Sequence, residues 1–158
     1  MLGQLLLPFA FVMILGALAL EQRVMNDHQT QVTMDGDVAA EGFLSYKRAV
    51  QAYVHQSPGI TGSISLASLP SADITGTTSA MHNIVQRSAA GTTIQTWWDG
   101  AGSARLAALE RLSQDDIAIG LSNGATWQSP AGGEMGTLPV AVAAGDVVSV
   151  VTFTGTGF

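Results

Sequence analysis

Residues 2–20 read LGQLLLPFAFVMILGALAL and contain no charged side chain. As a helix, this stretch would span about 28 Å, close to the roughly 30 Å hydrocarbon thickness of a bilayer. We therefore predict a transmembrane helix over residues 1–20, with the rest of the chain on one side of the membrane. The large apolar side chains that would form the anchor are Leu5, Leu6, Leu7, Phe9, Phe11, Val12, Ile14, Leu15 and Leu18.

Two other interpretations of this stretch remain open. Ala17-Leu18-Ala19 has the A-x-A pattern of a signal-peptide cleavage site, so cleavage after Ala19 would release a secreted or periplasmic binding module. Against cleavage, no Lys or Arg precedes the apolar run, and the run is long for a signal peptide. A buried core helix is the third interpretation, but a run that is apolar all round needs cover on every side.

The acidic composition excludes several classes of function. The formal net charge is −6, and the six Lys and Arg residues are scattered along the chain. Such a chain lacks the basic patch that nucleic acids or anionic lipids would require. Because there is no cysteine, zinc-thiolate sites, disulfides and thiol catalysis are also excluded.

The residues that follow the apolar stretch indicate its orientation. They include Glu21, Asp27, Asp35 and Asp37 but only one basic residue, Arg23. Basic flanks are retained in the cytoplasm, whereas acidic flanks have little effect. We therefore predict a single-pass membrane protein with its N-terminus inside the cell and its C-terminal domain outside.

An apolar stripe at helical spacing predicts that the anchor continues as an amphipathic helix over residues 21–57. Its clearest members are separated by steps of 4, 3, 4 and 3 residues, which places them on one face of a helix. Ser57-Pro58-Gly59 then ends the helix, since proline cannot continue it. The residues predicted to pack this helix against a sheet are Phe43, Tyr46, Val50 and Tyr53, with Ala39 ahead of them on the same stripe.

Residues 58–158 have the composition and turn signals of a small antiparallel sheet. A hairpin is predicted over Asn83–Trp98 and another around Ser122-Asn123-Gly124, because Asn-Gly between short strands favours a tight turn. Ser103 would cap a short helix over Ala104–Leu112, and Gly145–Thr154 forms the clearest strand. The stretch Ile60–Leu69 alternates loosely in the manner of a strand, and Pro130–Thr137 is predicted to be a glycine-rich loop. The predicted fold class is α+β: a long N-terminal helix, transmembrane and then amphipathic, with a small antiparallel sheet domain and one short helix.

No pattern in the chain predicts catalysis, a metal site or a cofactor site. Gly120–Gly124 matches G-x-S-x-G, but a nucleophile elbow must lead into a helix and be followed by an acid and a histidine. Residues 125–130 are unsuited to a helix, and no histidine follows His82, so the hairpin interpretation is favoured. The histidines also lack partners at metal-binding spacing. The sequence therefore predicts a protein that is not an enzyme.

Trp97-Trp98 is the most prominent candidate for contact with a partner. Neighbouring residues in a strand point to opposite faces, so one indole would enter the core. The other would be exposed or covered by a partner, and exposed aromatic residues are common interface anchors. The alternative is that both rings are covered within the domain.

Several short motifs resemble a known family over nearly the whole chain. They are Phe43-Leu44-Ser45-Tyr46-Lys47-Arg48-Ala49-Val50 with its continuation to Tyr53, Pro58-Gly59, the Asn83–Trp98 hairpin, Ile117-Ala118-Ile119-Gly120-Leu121-Ser122-Asn123-Gly124, Ser129-Pro130, Leu138-Pro139 and Val147–Val151. The overall plan is similar to type IV pilins, although the glutamate at the fifth position and the basic leader of that family are missing. The motifs themselves resemble the PilM family of plasmid thin-pilus (type IVb) systems.

That resemblance implies a structural, assembly or minor-pilin-like component of a conjugative thin pilus, and it does not imply a catalytic residue. The expected location is the bacterial inner membrane, with a single membrane pass and the C-terminal domain in the periplasm. The implied partners are the inner membrane and other pilus or secretion apparatus proteins, with neither nucleic acid nor a small-molecule substrate. We expect the domain to offer aromatic side chains and a free sheet edge to those partners. The strand over Gly145–Thr154 is the predicted edge for strand addition.

Overall fold

The computed structural model describes residues 36–70 and 76–155. The predicted transmembrane helix over residues 1–20 and the first part of the amphipathic helix, residues 21–35, lie outside these ranges. Within the described ranges, no helix has the length and apolar character needed to span a bilayer. The described residues belong to one compact unit that begins at Gly36.

This unit is an α+β domain with two helices and a six-stranded sheet, which confirms the predicted fold class for the described part of the chain. Helix α1 covers residues 36–56 and is followed by a short 3-10 turn at Leu66–Ser68. The remaining elements are β1 (Met81–Ser88), β2 (Gly91–Trp98), α2 (Gly102–Ser113), β3 (Ile119–Ser122), β4 (Thr126–Ser129), β5 (Gly133–Thr137) and β6 (Val147–Phe153).

The strands are all antiparallel and lie in the order β1-β2-β6-β3-β4-β5. The prediction that Gly145–Thr154 forms a sheet edge is therefore wrong, since β6 pairs with β2 on one side and β3 on the other. Its apolar run explains this position, because a strand buried on both faces has no need to alternate. Val147 and Val148, which point to opposite faces, are both fully buried.

Helices α1 and α2 cover one face of the sheet and enclose the larger core. The side chain of Phe43 on α1 stacks against Trp98 on β2, with ring centroids 6.0 Å apart. Leu106 and Leu109 of α2 complete this core. Burial of these large apolar side chains is the main stabilising contribution to the domain.

The opposite face of the sheet is covered by the segment that precedes β6. Leu138 packs there with Trp127 and Val148 in a second, smaller apolar cluster. The side-chain amide of Gln95 pairs with the backbone of Val140, donating to its oxygen over 2.8 Å and accepting from its nitrogen over 2.9 Å. A buried glutamine on the sheet thus holds the covering segment in place.

Three local predictions differ from the structure. The predicted loop over Pro130–Thr137 contains β5, whose glycine-rich, fully exposed sequence has no apolar alternation to identify it as a strand. Helix α2 starts earlier than predicted, with Ala101 as N-cap, so Ser103 lies inside its first turn and makes no capping bond. The loosely alternating stretch Ile60–Leu69 forms only an isolated bridge from Gly62 to Val85 and the 3-10 turn.

Gly42 marks a close approach between α1 and the chain at Gly76. A Cβ atom added to Gly42 would collide with the backbone carbonyl of Gly76, although the helical backbone itself accepts any residue. Gly42→Ala is therefore expected to lower the free energy of unfolding by about 1–3 kcal/mol through overpacking. That loss exceeds the gain of about 1 kcal/mol in helix propensity.

Gly36→Ala is the matched control, because a Cβ at Gly36 meets no atom within 4 Å. We expect it to be neutral or to stabilise the domain by up to about 1 kcal/mol. Denaturant titration of the full-length protein in mild detergent, followed by tryptophan fluorescence, measures both changes. Equal effects of the two substitutions would contradict the proposed collision.

Candidate interaction surface

The residues predicted to pack α1 against the sheet lie together on one helix face. Phe43, Tyr46 and Val50 are buried, and Tyr53 is half-buried against the same core. This face is therefore occupied within the domain. Partner contacts must be sought on other surfaces.

A buried polar cluster links α1, β1 and the segment between them. The Asn83 amide donates to the Tyr46 hydroxyl over 2.6 Å and to the Ile64 carbonyl over 2.8 Å, and its oxygen accepts from the Ile64 nitrogen over 2.8 Å. Burial raises the pKa of Tyr46, and the hydrogen bond from Asn83 offsets part of that rise. All the hydrogen-bonding atoms of the Asn83 side chain are used to join three segments of the fold.

An ion pair fixes α1 to the loop that precedes β3. The Lys47 ammonium donates to the Asp116 carboxylate, and the Lys47 side chain is only 9% exposed. Burial alone would raise the pKa of Asp116. Hydrogen bonds from Lys47 and from the Ala118 nitrogen, together with the Lys47 charge, outweigh burial and lower the pKa below its usual value of 3.8.

This pair predicts a pH-dependent contribution to stability. Because the folded-state pKa of Asp116 is depressed, the stabilisation is complete above the usual pKa and is lost as the pH falls through the folded value. Asp116→Asn should lower the free energy of unfolding at pH 7 by about 1.5–3 kcal/mol, since a nearly buried ammonium loses its charged partner. The difference between variant and wild type should shrink on titration below pH 3.8.

Asp37→Asn serves as the control for the Asp116 prediction. Asp37 pairs with Arg111, but both side chains are more than a third exposed, so the loss should stay below about 1 kcal/mol. Urea titrations of both variants between pH 3 and pH 7 provide the measurement. A deficit for Asp116→Asn that is independent of pH would contradict the assignment.

The two adjacent tryptophans have different environments. Trp98 is 3% exposed, stacks on Phe43 and lies beneath the Arg105 guanidinium, 4.6 Å from the ring centroid. It is therefore unavailable to a partner on the domain surface. Trp97 points to the opposite face and is half-buried at the rim of the smaller cluster, with the His82 ring 5.4 Å away. Of the pair, Trp97 remains the candidate contact.

The G-x-S-x-G stretch forms the β3–β4 hairpin. Ser122 is 1% exposed, and its hydroxyl donates to the Val142 carbonyl over 3.0 Å and accepts from the Gly124 nitrogen over 2.9 Å. A Cβ at Gly120 would collide with the Gln128 carbonyl, so the glycine permits close pairing of β3 and β4. Each of these residues thus has a structural role. Within residues 36–70 and 76–155, no three carboxylate or histidine side chains are grouped to hold a metal ion.

The two edges of the sheet differ in their cover. At β1, Gly62 exchanges two backbone hydrogen bonds with Val85, and Arg87 donates to the Ile60 carbonyl over 3.0 Å. At the other edge, β5 is exposed along its whole length and pairs with β4 alone among the described residues. The outer side of β5 therefore presents backbone groups available for pairing.

Exposed apolar side chains lie next to this open edge. Ile117 is 53% exposed and Met135 is 36% exposed. Both approach Gly132, where an added Cβ would lie 2.7 Å from Ile117 Cγ1 and 2.8 Å from Met135 Sδ. We call β5 with Ile117 the β5 edge. The sequence does not predict this surface, and its one available signal is an isolated methionine among glycines before Thr137.

Comparison with known proteins identifies the family. The family model for PilM matches residues 9–150. The chain belongs to the PilM family. The resemblance inferred from the sequence motifs is thereby confirmed, and membership of the PilM family suggests a pilus-related role and interaction with other pilus proteins.

A solved structure shares the fold of this PilM-family domain. It is a crystal structure of a protein called PilM from Escherichia coli B7A, with a TM-score of 0.55 and 19% sequence identity. The match covers 77% of this chain and 94% of that chain. At this identity the likeness shows the fold alone. A comparison with curated proteins finds no match.

Proposed function

We propose that this PilM-family chain is a non-catalytic assembly component of a type IV (conjugative thin) pilus. In this proposal, residues 2–20 anchor it in the bacterial inner membrane and the α+β domain lies in the periplasm. One observation carries the proposal: the family match begins at residue 9, inside the apolar stretch, and continues to residue 150. Residues 9–20 of the apolar stretch and most of the domain thus lie within one family match.

The structure of α1 supports a mechanical link between anchor and domain. In the sequence, residues 21–35 lie between the apolar stretch and the described part of α1, the helix that carries Phe43, Tyr46 and Val50 into the core. A domain held at the membrane surface meets other anchored proteins at a raised effective concentration. The order of apolar segment, amphipathic helix and sheet is also that of a pilin, which supports a minor-pilin-like role.

The alternative function is that of a periplasmic or secreted binding module. It is favoured by the A-x-A pattern at Ala17–Ala19, which would permit cleavage after Ala19. The domain would then diffuse freely, and its partners would not need to be membrane proteins. The two functions make opposite predictions about a form that lacks the anchor.

Complementation of a host strain that lacks the protein tests the proposal. One variant replaces Leu2–Leu20 with an efficiently cleaved signal peptide, so that the domain is exported without an anchor. We expect this variant to abolish pili and to reduce conjugation in liquid to the level of the deletion strain. A second variant, with an unrelated transmembrane helix of equal length, controls for anchoring alone. Wild-type piliation by the soluble domain would contradict the proposal.

A further inference from the structure

The β5 edge presents backbone groups that have no strand partner among the described residues. Among the described residues its backbone has no partner on the outer side, whereas the β1 edge is paired with Gly62 at Val85 and is bordered by the contact between Arg87 and Ile60. An extended peptide that adds to an open edge gains main-chain hydrogen bonds irrespective of its sequence. Side-chain pockets beside the edge then decide which sequence binds.

A groove of about 490 Å³ lies beside this edge, on the sheet face that α2 covers. Across the sheet, Leu121 pairs with Gln128, and Gln128 pairs with Glu134, so the three side chains form one row that ends at β5. Leu106 of α2 and the strand end at Ser129 complete the groove. The Ser129 hydroxyl is buried and has no hydrogen-bond partner among the described residues.

The charge of the groove indicates the chemistry of its occupant. Among the described residues that line it, Glu134 is the only charged one, and Glu134 is exposed. The protein as a whole carries a formal charge of −6, which disfavours a second copy of the chain as the occupant. A basic side chain beside Glu134 would be favoured by local and overall charge alike.

We propose that the β5 edge binds, by strand addition, an extended segment of another pilus apparatus protein that carries a basic side chain beside Glu134. An apolar side chain of the same segment enters the groove between Leu106 and Leu121, and another packs on Ile117 and Met135. This inference rests on the proposed function, because it names the partner class for the same domain. Glu134 on the edge also opposes self-pairing of β5, as charged residues on edge strands commonly do.

Binding to a peptide array tests this proposal. The array carries overlapping 12-residue peptides that cover the other pilus proteins of the host. The full-length protein, in mild detergent, is applied to the array. We expect the strongest peptides to combine alternating apolar residues with Lys or Arg. N-methylation of alternate amides in these peptides should abolish binding, because it removes the backbone donors that pair with β5.

Charge reversal on the protein provides the second arm. Glu134→Lys is expected to lower the affinity for the same peptides at least about fivefold. Glu41→Lys, on the exposed side of α1, should leave that affinity unchanged. Thermal unfolding followed by tryptophan fluorescence verifies that both variants remain folded. Absence of any bound peptide, insensitivity to N-methylation, or equal effects of the two variants would overturn the proposal.

The failure of this inference can be separated from failure of the proposed function. If the anchor replacement abolishes pili while Glu134→Lys and Met135→Lys assemble them normally, the function stands and the β5 edge is excluded as its partner site. If the soluble domain assembles pili, the proposed function fails. Self-association of the protein that Glu134→Lys alters would show a second copy at the edge, and the proposal would be wrong.

Discussion

Phe43→Ala is expected to lower the free energy of unfolding by about 3–5 kcal/mol, the usual cost of truncating a buried phenylalanine. The side chain is fully buried between α1 and the sheet, and its ring stacks on Trp98 at 6.0 Å. Its removal leaves a cavity in the larger core and unsupported indole surface. Denaturant titration in mild detergent measures the change, because all three tryptophans of the chain, Trp97, Trp98 and Trp127, lie in the described domain.

Val38→Ala is the control for this prediction. Val38 lies on the same helix but is 63% exposed, so its truncation should change the free energy of unfolding by less than about 0.5 kcal/mol. A similar, small loss for Phe43→Ala would contradict the packing of α1 described above. It would mean that α1 contributes little to the stability of the sheet domain.

Asn83→Ala is expected to destabilise the domain by about 3–5 kcal/mol. The substitution leaves the Ile64 nitrogen and carbonyl and the Tyr46 hydroxyl without their partner in a buried site. An orphaned buried polar group costs about 1–3 kcal/mol, so the effect exceeds that of one lost hydrogen bond. Urea titration followed by tryptophan fluorescence gives the value.

Tyr46→Phe tests whether hydrogen bonding by Asn83, and not packing alone, accounts for this loss of stability. It removes one hydrogen bond but leaves Asn83 paired with Ile64, so we expect a loss of about 1 kcal/mol. In the Asn83→Ala background, Tyr46→Phe should cost less than in the wild type, because the orphaned hydroxyl is removed. Additive losses in this double-mutant cycle would show that the two side chains act independently.

Local patterns predicted the parts of the fold that depend on neighbouring residues. The 4-3-4-3 spacing from Ala39 to Tyr53 identified the buried face of α1 because helix periodicity is a local property. The turn at Ser122-Asn123-Gly124 and the hairpin that ends at Trp98 were predicted for the same reason. In each case a short stretch determines its own geometry.

The order of the strands depends on contacts that are distant in sequence. The strand β6 is the last of the six, yet it lies between β2 and β3 because its two apolar faces need cover on both sides. Strand alternation predicts that the side chains of Trp97 and Trp98 point to opposite faces of the sheet. It does not predict which of the two packs against Phe43. The amide pairing of Gln95 with Val140 has no local signal either, since it joins residues 45 positions apart.

The candidate site was difficult to predict for a related reason. Strand β5 is held by backbone pairing with β4 and is exposed along its whole length, so it needs no apolar pattern. Its sequence of glycines with Glu134 and Met135 resembles a loop. Only the structure shows that Ile117, from the loop that precedes β3, approaches the same strand.

The intact mass of the protein, purified from the inner-membrane fraction of its host, tests the central claim of membrane anchoring most directly. We expect a full-length mass that includes Leu2–Leu20, in material that resists carbonate extraction. A mass that lacks the first nineteen residues, in protein recovered as a soluble periplasmic species, would contradict it.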